Sequence, residues 1–336
     1  MERRRITLIL IGVVVILLLI WWAGVEETLA IAMSADVRYL LLALLMQILA
    51  VLAWALRWKV FLKKANIDVS VSRILMAVLV GIFVNNITPG ARAGGEPART
   101  YIVGKRSDKR YATIFATVMA DRILDVIPVM LFTFIAFKYA LSLKIHLLLV
   151  VLAISTFVLF LVLALTLLFS FNERLAMGLL RRIISLLRRI FPQKFAGIEE
   201  KLEEKLQKAI FEFRETLSDL SKDPGVFFKT LFYSLILWVV MVFRTFFVFR
   251  SIGYPLEIYK VLMVQMAGIA LGMISVLPGG VGITEGVNSA LYLSLSINKE
   301  LAVTGTILDR FISFWLPTIV GGLISFYLGA KGEEDS

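Results

Sequence analysis

The sequence predicts an all-α integral membrane protein with six transmembrane helices and two re-entrant helical hairpins, arranged as an inverted repeat. The 336 residues are 59% hydrophobic and only 18% charged, whereas a soluble domain is about 45–50% apolar and about 25% charged. Apolar stretches recur along the chain, and two of them are interrupted by Pro-Gly segments. These two segments resemble each other, which indicates a duplicated unit.

Six stretches are long enough to cross the hydrocarbon core, which takes about 20 mostly apolar residues. The first follows Arg3, Arg4 and Arg5, ends at Trp21-Trp22 and lacks the small-residue site of a cleaved signal peptide, so we interpret it as a retained anchor. The predicted spans are 6–22, 39–56, 111–137, 146–169, 227–249 and 301–328.

Two shorter apolar stretches stop at helix breakers. Residues 74–87 run into the sequence PGARAGGE, residues 261–277 run into PGGVGITE, and each is followed by another short apolar piece. A single span cannot hold so many breakers in lipid, because each unpaired backbone group there costs several kcal/mol. We therefore expect re-entrant hairpins at 74–103 and 261–297, each returning to the side from which it entered.

The basic residues predict the orientation, because cytoplasmic loops carry an excess of Lys and Arg. With a cytoplasmic N-terminus and two re-entrant hairpins, most of the 36 Lys and Arg fall on the cytoplasmic side, including Arg57 and Arg99. The hydrophilic stretch 171–225 is expected to form cytoplasmic amphipathic helices, the first of them on the anionic inner leaflet. We predict a multi-pass cell-membrane protein with both termini in the cytoplasm.

Composition also excludes several classes of function. The net charge of +11 is explained by cytoplasmic loops, so no nucleic-acid partner is expected. The chain has no cysteine and one histidine, His146, which excludes thiolate metal sites and leaves little for a hydrolytic triad. No phosphate-binding or dinucleotide fingerprint occurs. We expect neither a metal, nor a cofactor, nor an enzyme.

The two broken segments belong to matched units. Residues 89–96 and 278–285 both begin with Pro-Gly and end with Glu. An Asp-Arg pair follows each segment and an arginine precedes each; these are Asp121-Arg122, Asp309-Arg310, Arg57 and Arg244. The first repeat is 1–138 and the second 139–336. Because the hairpins enter from opposite sides, the repeats are inverted, as in secondary transporters.

Ionisable residues inside apolar segments are the candidate functional residues, because each charge at the bilayer centre costs roughly 2.5–3.5 kcal/mol on insertion scales. We expect one ion pair per repeat, Glu96 with Arg122 and Glu285 with Arg310. Arg122 is also expected to reach Asp125, three positions further along the same helix. Structural or coupling charge pairs are expected for Asp121, Asp125, Asp309 and Arg244.

The hairpin tips predict an anion site. Glycines let the backbone approach a ligand, helix N-termini attract anions, and arginines suit phosphate. Thr284 can cap the second returning helix. The expected substrate-binding residues are Asn86, Arg92, Gly94, Gly95, Glu96, Arg122, Gly280, Thr284, Glu285 and Arg310. Three alternatives remain open. The charged residues can serve only to clamp each hairpin to its neighbouring helix, and Asn86 can cap its helix instead of binding substrate. Separately, Glu96 or Glu285 can couple transport to protons.

The Pro-Gly…Gly-Gly-Glu segment, Pro-Gly-Gly-x-Gly-x-Thr-Glu-Gly and the final Arg-Phe-x-x-x-Trp-x-Pro resemble the lysylphosphatidylglycerol synthase transmembrane-region family. Residues 278–286 and 310–317 are the most specific part, and the resemblance covers nearly the whole chain. It implies movement of an anionic phospholipid or polyprenyl-linked lipid between leaflets. The soluble aminoacyl-transferase domain of multiple peptide resistance factors has no counterpart here, so we expect no synthesis of lysylated lipid.

Other functions remain open at this point. The partners are expected to be membrane lipids, either an anionic phospholipid or a polyprenyl phosphate, with a separate lipid-modifying enzyme as a further candidate. The alternatives to a lipid flippase are a polyprenyl-phosphate or lipid headgroup transferase and a proton-coupled small-anion transporter.

Overall fold

The computed structural model describes residues 2–88, 94–105, 107–172, 174–175, 177–178, 181–182, 185, 199–274 and 277–334. All regular structure in these ranges is helical. In chain order the helices are α1 (Glu2–Ala23), α2 (Val25–Met33), α3 (Val37–Lys64), α4 (Val71–Ile87), α5 (Gly95–Gly104), α6 (Tyr111–Ser142), α7 (His146–Phe171), α8 (Glu199–Lys222), α9 (Pro224–Ser251), α10 (Ile258–Ile274), α11 (Ile283–Ser294), α12 (Lys299–Arg310) and α13 (Leu316–Glu334). A 3₁₀ turn (Pro278–Gly280) precedes α11, and a π-helical turn (Phe311–Trp315) joins α12 to α13.

The long helices confirm that the chain is an all-α integral membrane protein, whereas the inverted arrangement of the two repeats stays a prediction. Five of the helices are long and apolar enough to cross a membrane: α3, α6, α7, α9 and the continuous run of α12 with α13. Helix α1 adds a sixth if it is counted with α2, from which it is bent by 94°. The bend lies at Gly24, whose φ of 103° suits only glycine. The short helix α2 was not among the predicted elements.

Both broken segments fold as helical hairpins. Helices α4 and α5 pack closely, because a Cβ on Gly95 would overlap the carbonyl oxygen of Gly81. The Gly95 amide donates to Asn85 Oδ1 at 2.7 Å. In the second hairpin, a Cβ on Gly268 of α10 would collide with the Asn288 side chain of α11. Their re-entrant course stays a prediction.

The second hairpin tip adjoins the end of α4, the last described part of the first hairpin before its turn. A Cβ on Gly279 in the second tip would lie 3.1 Å from the carbonyl oxygen of Asn86, at the end of α4. The second tip also touches Gly12, near the midpoint of α1, since a Cβ on Gly282 would lie 2.9 Å from the Gly12 oxygen. The Asn86 amide donates to Thr318 Oγ1 of α13 at 2.6 Å. The second tip therefore lies about half-way along α1, and the end of α4 lies about half-way along the continuous run of α12 with α13.

The matched helices α3 and α9, which carry Arg57 and Arg244, pack along each other. One hydrophobic core lies around α3, α4 and α6, and a larger one lies among α6, α7, α9, α10 and α11. Large apolar side chains cover much of the exterior, Phe157 and Phe326 among them, which suits lipid contact. The division at residue 138 falls in the last turns of α6 and stays a prediction.

The hydrophilic stretch 171–225 is only partly within the described residues. Helix α8 packs one face on the first core through Leu217 and Leu220, as an amphipathic helix does. Much of the predicted amphipathic helix before it lies outside the described residues. Asp223 then caps α9 by accepting from the amides of Gly225 and Val226. A hydrogen bond from Lys64 holds the pKa of the Asp223 carboxyl below its usual range.

Candidate functional site

The first predicted ion pair is present beside the first hairpin tip. Glu96 lies in the first turn of α5, and its carboxylate pairs with the Arg122 guanidinium of α6. The Arg122 side chain is 33% exposed, whereas Glu96 is buried. The Arg122 guanidinium also lies 5.7 Å from the centre of the Trp54 ring. This pair is thus partly open to its surroundings.

The second predicted ion pair is present and closed. Arg310 Nε donates to Glu285 Oε1 at 2.8 Å, and the pair is almost fully buried. The other carboxylate oxygen of Glu285 accepts from the Gly282 amide at 2.7 Å. Arg310 Nη2 donates to the Gly279 carbonyl at 3.1 Å, and its guanidinium lies 4.0 Å from the Phe314 ring. These contacts fasten the second tip to α12.

The two Asp-Arg motifs supply a second matched set of contacts. Asp121 of α6 is fully buried and accepts from Arg57 Nε at 2.6 Å, and from Arg99 Nη2 and Trp54 Nε1, each at 2.9 Å. Asp309 of α12 accepts from Arg244 of α9. In that pair, Arg244 donates through Nε at 2.9 Å and Nη2 at 3.1 Å.

Asp125 connects the first repeat to α9. It pairs with Arg57 and accepts from Ser234 Oγ and Trp238 Nε1, both at 3.0 Å. The i,i+3 contact expected between Arg122 and Asp125 was wrong, because Arg122 turns to Glu96 while Asp125 is bound from α3 and α9.

Two buried arginines were missed. Charge counting placed Arg57 and Arg99 in cytoplasmic segments, yet each is 1% exposed and each pairs with Asp121. The sequence held a signal for both. Arg57 takes the place in the first repeat that Arg244 takes in the second, and Arg99 lies one helical turn after Glu96, where it shares a helix face with that carboxylate.

The structure places some predicted tip residues in backbone roles. The Gly94 carbonyl accepts from the Ala98 amide, which closes the first turn of α5. Gly280 has a φ of 69° inside the second tip. Asn86 bonds Thr318 of α13 instead of capping α4. Arg92 lies outside the described residues.

Thr284 does not cap α11, which corrects the expectation. The N-cap residue is Gly282, and the carboxylate of Glu285 takes its amide. The Thr284 hydroxyl is buried and has no hydrogen-bond partner within the described ranges. The cap thus lies two residues upstream of Thr284, at Gly282, whose φ of 84° suits glycine and not threonine.

The π-helical turn Phe311–Trp315 begins directly after Arg310. Pro317 lacks the N–H that would continue the regular ladder, which explains an irregular turn just before it. Such turns are frequent at functional sites. The first repeat has its own proline at the matching place, Pro128 inside α6.

The arrangement suits exchange of one anion for another. A guanidinium paired with a carboxylate can instead take a phosphate oxyanion in the same geometry. The open pair, Glu96 with Arg122, offers this exchange more readily than the enclosed pair in the second half. Within the described ranges, no group of three or more Asp, Glu or His side chains is placed to hold a metal ion.

Comparison with known proteins gives the family. The model described as "Lysylphosphatidylglycerol synthase TM region" matches residues 9–321. The chain is 48% identical over 322 residues to UPF0104 membrane protein PH1989 of Pyrococcus horikoshii, covering 96% of each chain. It is 28% identical over 339 residues to a UPF0104 membrane protein of Methanothermobacter thermautotrophicus, covering 99% of this chain and 98% of the relative.

A third relative, UPF0104 membrane protein MJ1595 of Methanocaldococcus jannaschii, is 27% identical over 301 residues, covering 89% of this chain and 88% of the relative. The resemblance seen in the sequence motifs is therefore confirmed, and it connects the chain with membrane lipids. The protein is a multi-pass integral membrane protein that belongs to the lysylphosphatidylglycerol synthase transmembrane-region family.

Proposed function

We propose that the protein moves an anionic lipid, a phospholipid or a polyprenyl-linked lipid, between the two leaflets of the cell membrane. The observation that carries this proposal is the meeting of the two hairpins about half-way along α1 and about half-way along the continuous run of α12 with α13, with an Arg–Glu pair beside each hairpin tip. Discontinuous helices near mid-membrane are where secondary transporters bind their substrates. We also propose that both termini lie in the cytoplasm and that the protein catalyses no reaction.

The charges favour a phosphate-bearing headgroup. Arg122 is partly exposed, so a phosphate can replace Glu96 on it without the arginine being left unpaired. Arg310 lies beside the adjoining tip and offers a second cation along the route. Because the tails of a lipid can stay in the bilayer, only the headgroup has to pass the tips.

An apolar groove supports a lipid over a water-soluble anion. It has a volume of about 380 Å³, lies between α6 and α7, and is lined mainly by aromatic and aliphatic side chains. Those on α6 include Met130 and Phe137, which begin about two turns beyond Arg122 on the same helix. A lipid held by its phosphate at Arg122 can lay a tail along this groove.

Transport by reconstituted protein tests the proposal. Vesicles containing the protein and a tail-labelled phosphatidylglycerol should move the label between leaflets, and an impermeant quencher measures its exchange. We expect Arg122→Ala and Arg310→Ala each to slow the exchange at least tenfold, which corresponds to a barrier higher by about 1.4 kcal/mol. Lys138→Ala removes an exposed charge from the same helix as Arg122 and should leave the rate unchanged.

Unchanged exchange in both arginine variants would contradict the proposed site. Absence of exchange by the wild-type protein would contradict the flippase itself. In that case, formation of a new lipid species, detected by mass spectrometry, would identify a headgroup transferase. Uptake of phosphate driven by a pH gradient would identify a proton-coupled anion transporter. Activity only after addition of a lipid-modifying enzyme would identify a partner subunit.

A further inference from the structure

Arg99 is an ionised side chain in the interior with unused hydrogen-bond donors. It is 1% exposed, and Nη2 donates to Asp121 Oδ2 at 2.9 Å. Its Nε and Nη1 are buried and have no partner among the residues that the structure describes. Charged donors left unpaired in the interior are unfavourable, so a native site that keeps them calls for an explanation.

Arg99 and Arg122 share one aromatic ring. The guanidinium carbon of Arg99 lies 5.2 Å from the centre of the Trp54 ring, and that of Arg122 lies 5.7 Å from it. Arg99 also lies 4.2 Å from the Trp58 ring. Both cations therefore lie beside the same ring, and an anion that accepts from both would offset their mutual repulsion, which is strong in a medium of low dielectric constant.

The second repeat lacks this feature. The residue three positions after Glu285 is Asn288, as Arg99 is three positions after Glu96. Each of the two abuts a glycine of the preceding helix: a Cβ on Gly81 would lie 2.8 Å from Arg99 Cγ, and one on Gly268 would collide with Asn288. The matched positions therefore differ by one buried positive charge, which belongs to the first repeat.

We propose that Arg99 and Arg122 together bind a phosphate oxyanion beside Trp54, with Arg99 as the deeper of the two ligands. The unpaired nitrogens of Arg99 donate to the phosphate oxygens, and Arg122 exchanges the Glu96 carboxylate for the same phosphate. A tetrahedral phosphate has enough oxygens to accept from two guanidinium groups at once. The identity of the phosphate as part of a lipid rests on the proposed function.

Binding measurements on the purified full-length chain test this site. The probes are dioctanoyl phosphatidylglycerol, inorganic phosphate and uncharged dioctanoylglycerol, titrated calorimetrically in a neutral detergent. Arg99→Lys keeps a cation for Asp121 but removes the guanidinium donors. We expect it to weaken binding of the phospholipid about ten- to a hundredfold, whereas Asn288→Ala at the matched position leaves the affinity unchanged.

The outcomes separate this inference from the proposed function. Wild-type affinity in Arg99→Lys overturns the inference, while lipid exchange that depends on Arg122 keeps the proposed function. Tighter binding of the phospholipid than of inorganic phosphate assigns the site to a lipid. Equal affinity for both, lost in Arg99→Lys, supports the site and assigns it to free phosphate.

A second measurement covers the case in which Arg99→Lys does not fold. In the wild-type protein, the nitrogen-15 resonance of Arg99 Nε should shift on addition of phosphatidylglycerol and stay in place with dioctanoylglycerol. A resonance that does not respond to the phospholipid overturns the inference.

Discussion

Replacing Asp121 with asparagine is expected to lower the free energy of unfolding by about 3–5 kcal/mol, because it breaks a buried ion-pair network by removing its central anion. Asp121 is fully buried and accepts from both Arg57 and Arg99. Asparagine keeps the shape, but its NH2 group donates where a carboxylate oxygen accepted, so the substitution removes the charge and at least one of the three hydrogen bonds to Asp121. Arg57 retains Asp125, but Arg99 retains no carboxylate hydrogen bond among the described residues.

Thermal unfolding in detergent measures this effect. The control is Asp309→Asn at the matched position of the second repeat, where a single arginine is affected. Asp309 is also less deeply buried, so we expect a smaller loss of stability. An Asp121→Asn protein as stable as the wild type, or less affected than Asp309→Asn, would contradict the network described for the first repeat.

Gly321→Ala is expected to destabilise the protein by about 1–3 kcal/mol, the usual cost of overpacking a tight contact. A Cβ there would overlap the carbonyl oxygen of Leu79 in α4 and lie 2.8 Å from its carbonyl carbon. Backbone atoms cannot rotate away as a side chain can, so α13 has to move off the first hairpin. The hydrogen bond between Asn86 and Thr318, near the same crossing, should weaken with it.

Gly329→Ala is the matched control on the same helix. A Cβ there meets nothing within 4 Å, so the substitution should stabilise the helix by about 0.5–1 kcal/mol. Unfolding temperatures compare the two variants. Because the chain has no cysteine, Asn86→Cys combined with Thr318→Cys also allows a bifunctional thiol reagent to be used, whose cross-linking yield reports the separation of the two positions. A yield unaffected by Gly321→Ala would argue against displacement of α13.

Much of the fold could be predicted from apolar length and helix breakers. Residues 74–87 and 261–277 are too short to span and are followed by Pro-Gly, so the positions of both hairpins along the chain could be predicted. The short helix α2 could not, because its sequence VEETLAIAM mixes acidic and apolar residues without a clear period. Its direction depends on the φ of one glycine, Gly24, which the sequence leaves free.

The candidate site could be predicted where the repeat gave a second copy of each residue. Glu96 with Arg122 and Glu285 with Arg310 were paired on this basis, and both pairs are present. Arg99 has no basic counterpart in the second repeat, so the comparison of repeats passed it over. Charge counting also treats an arginine near a span end as a loop residue, and it cannot register burial by tertiary contacts.

The contact of the first hairpin with α13 also constrains the order in which the chain is completed during biosynthesis. Asn86 and its partner Thr318 are 232 residues apart, so the first hairpin leaves the ribosome long before the helix that receives its amide. Until then the amide needs water or the insertion machinery as its partner, since lipid offers none. Insertion of the last helix is thus the step that supplies the partner of the Asn86 amide. A chain halted before residue 318 would keep that amide without its hydrogen bond.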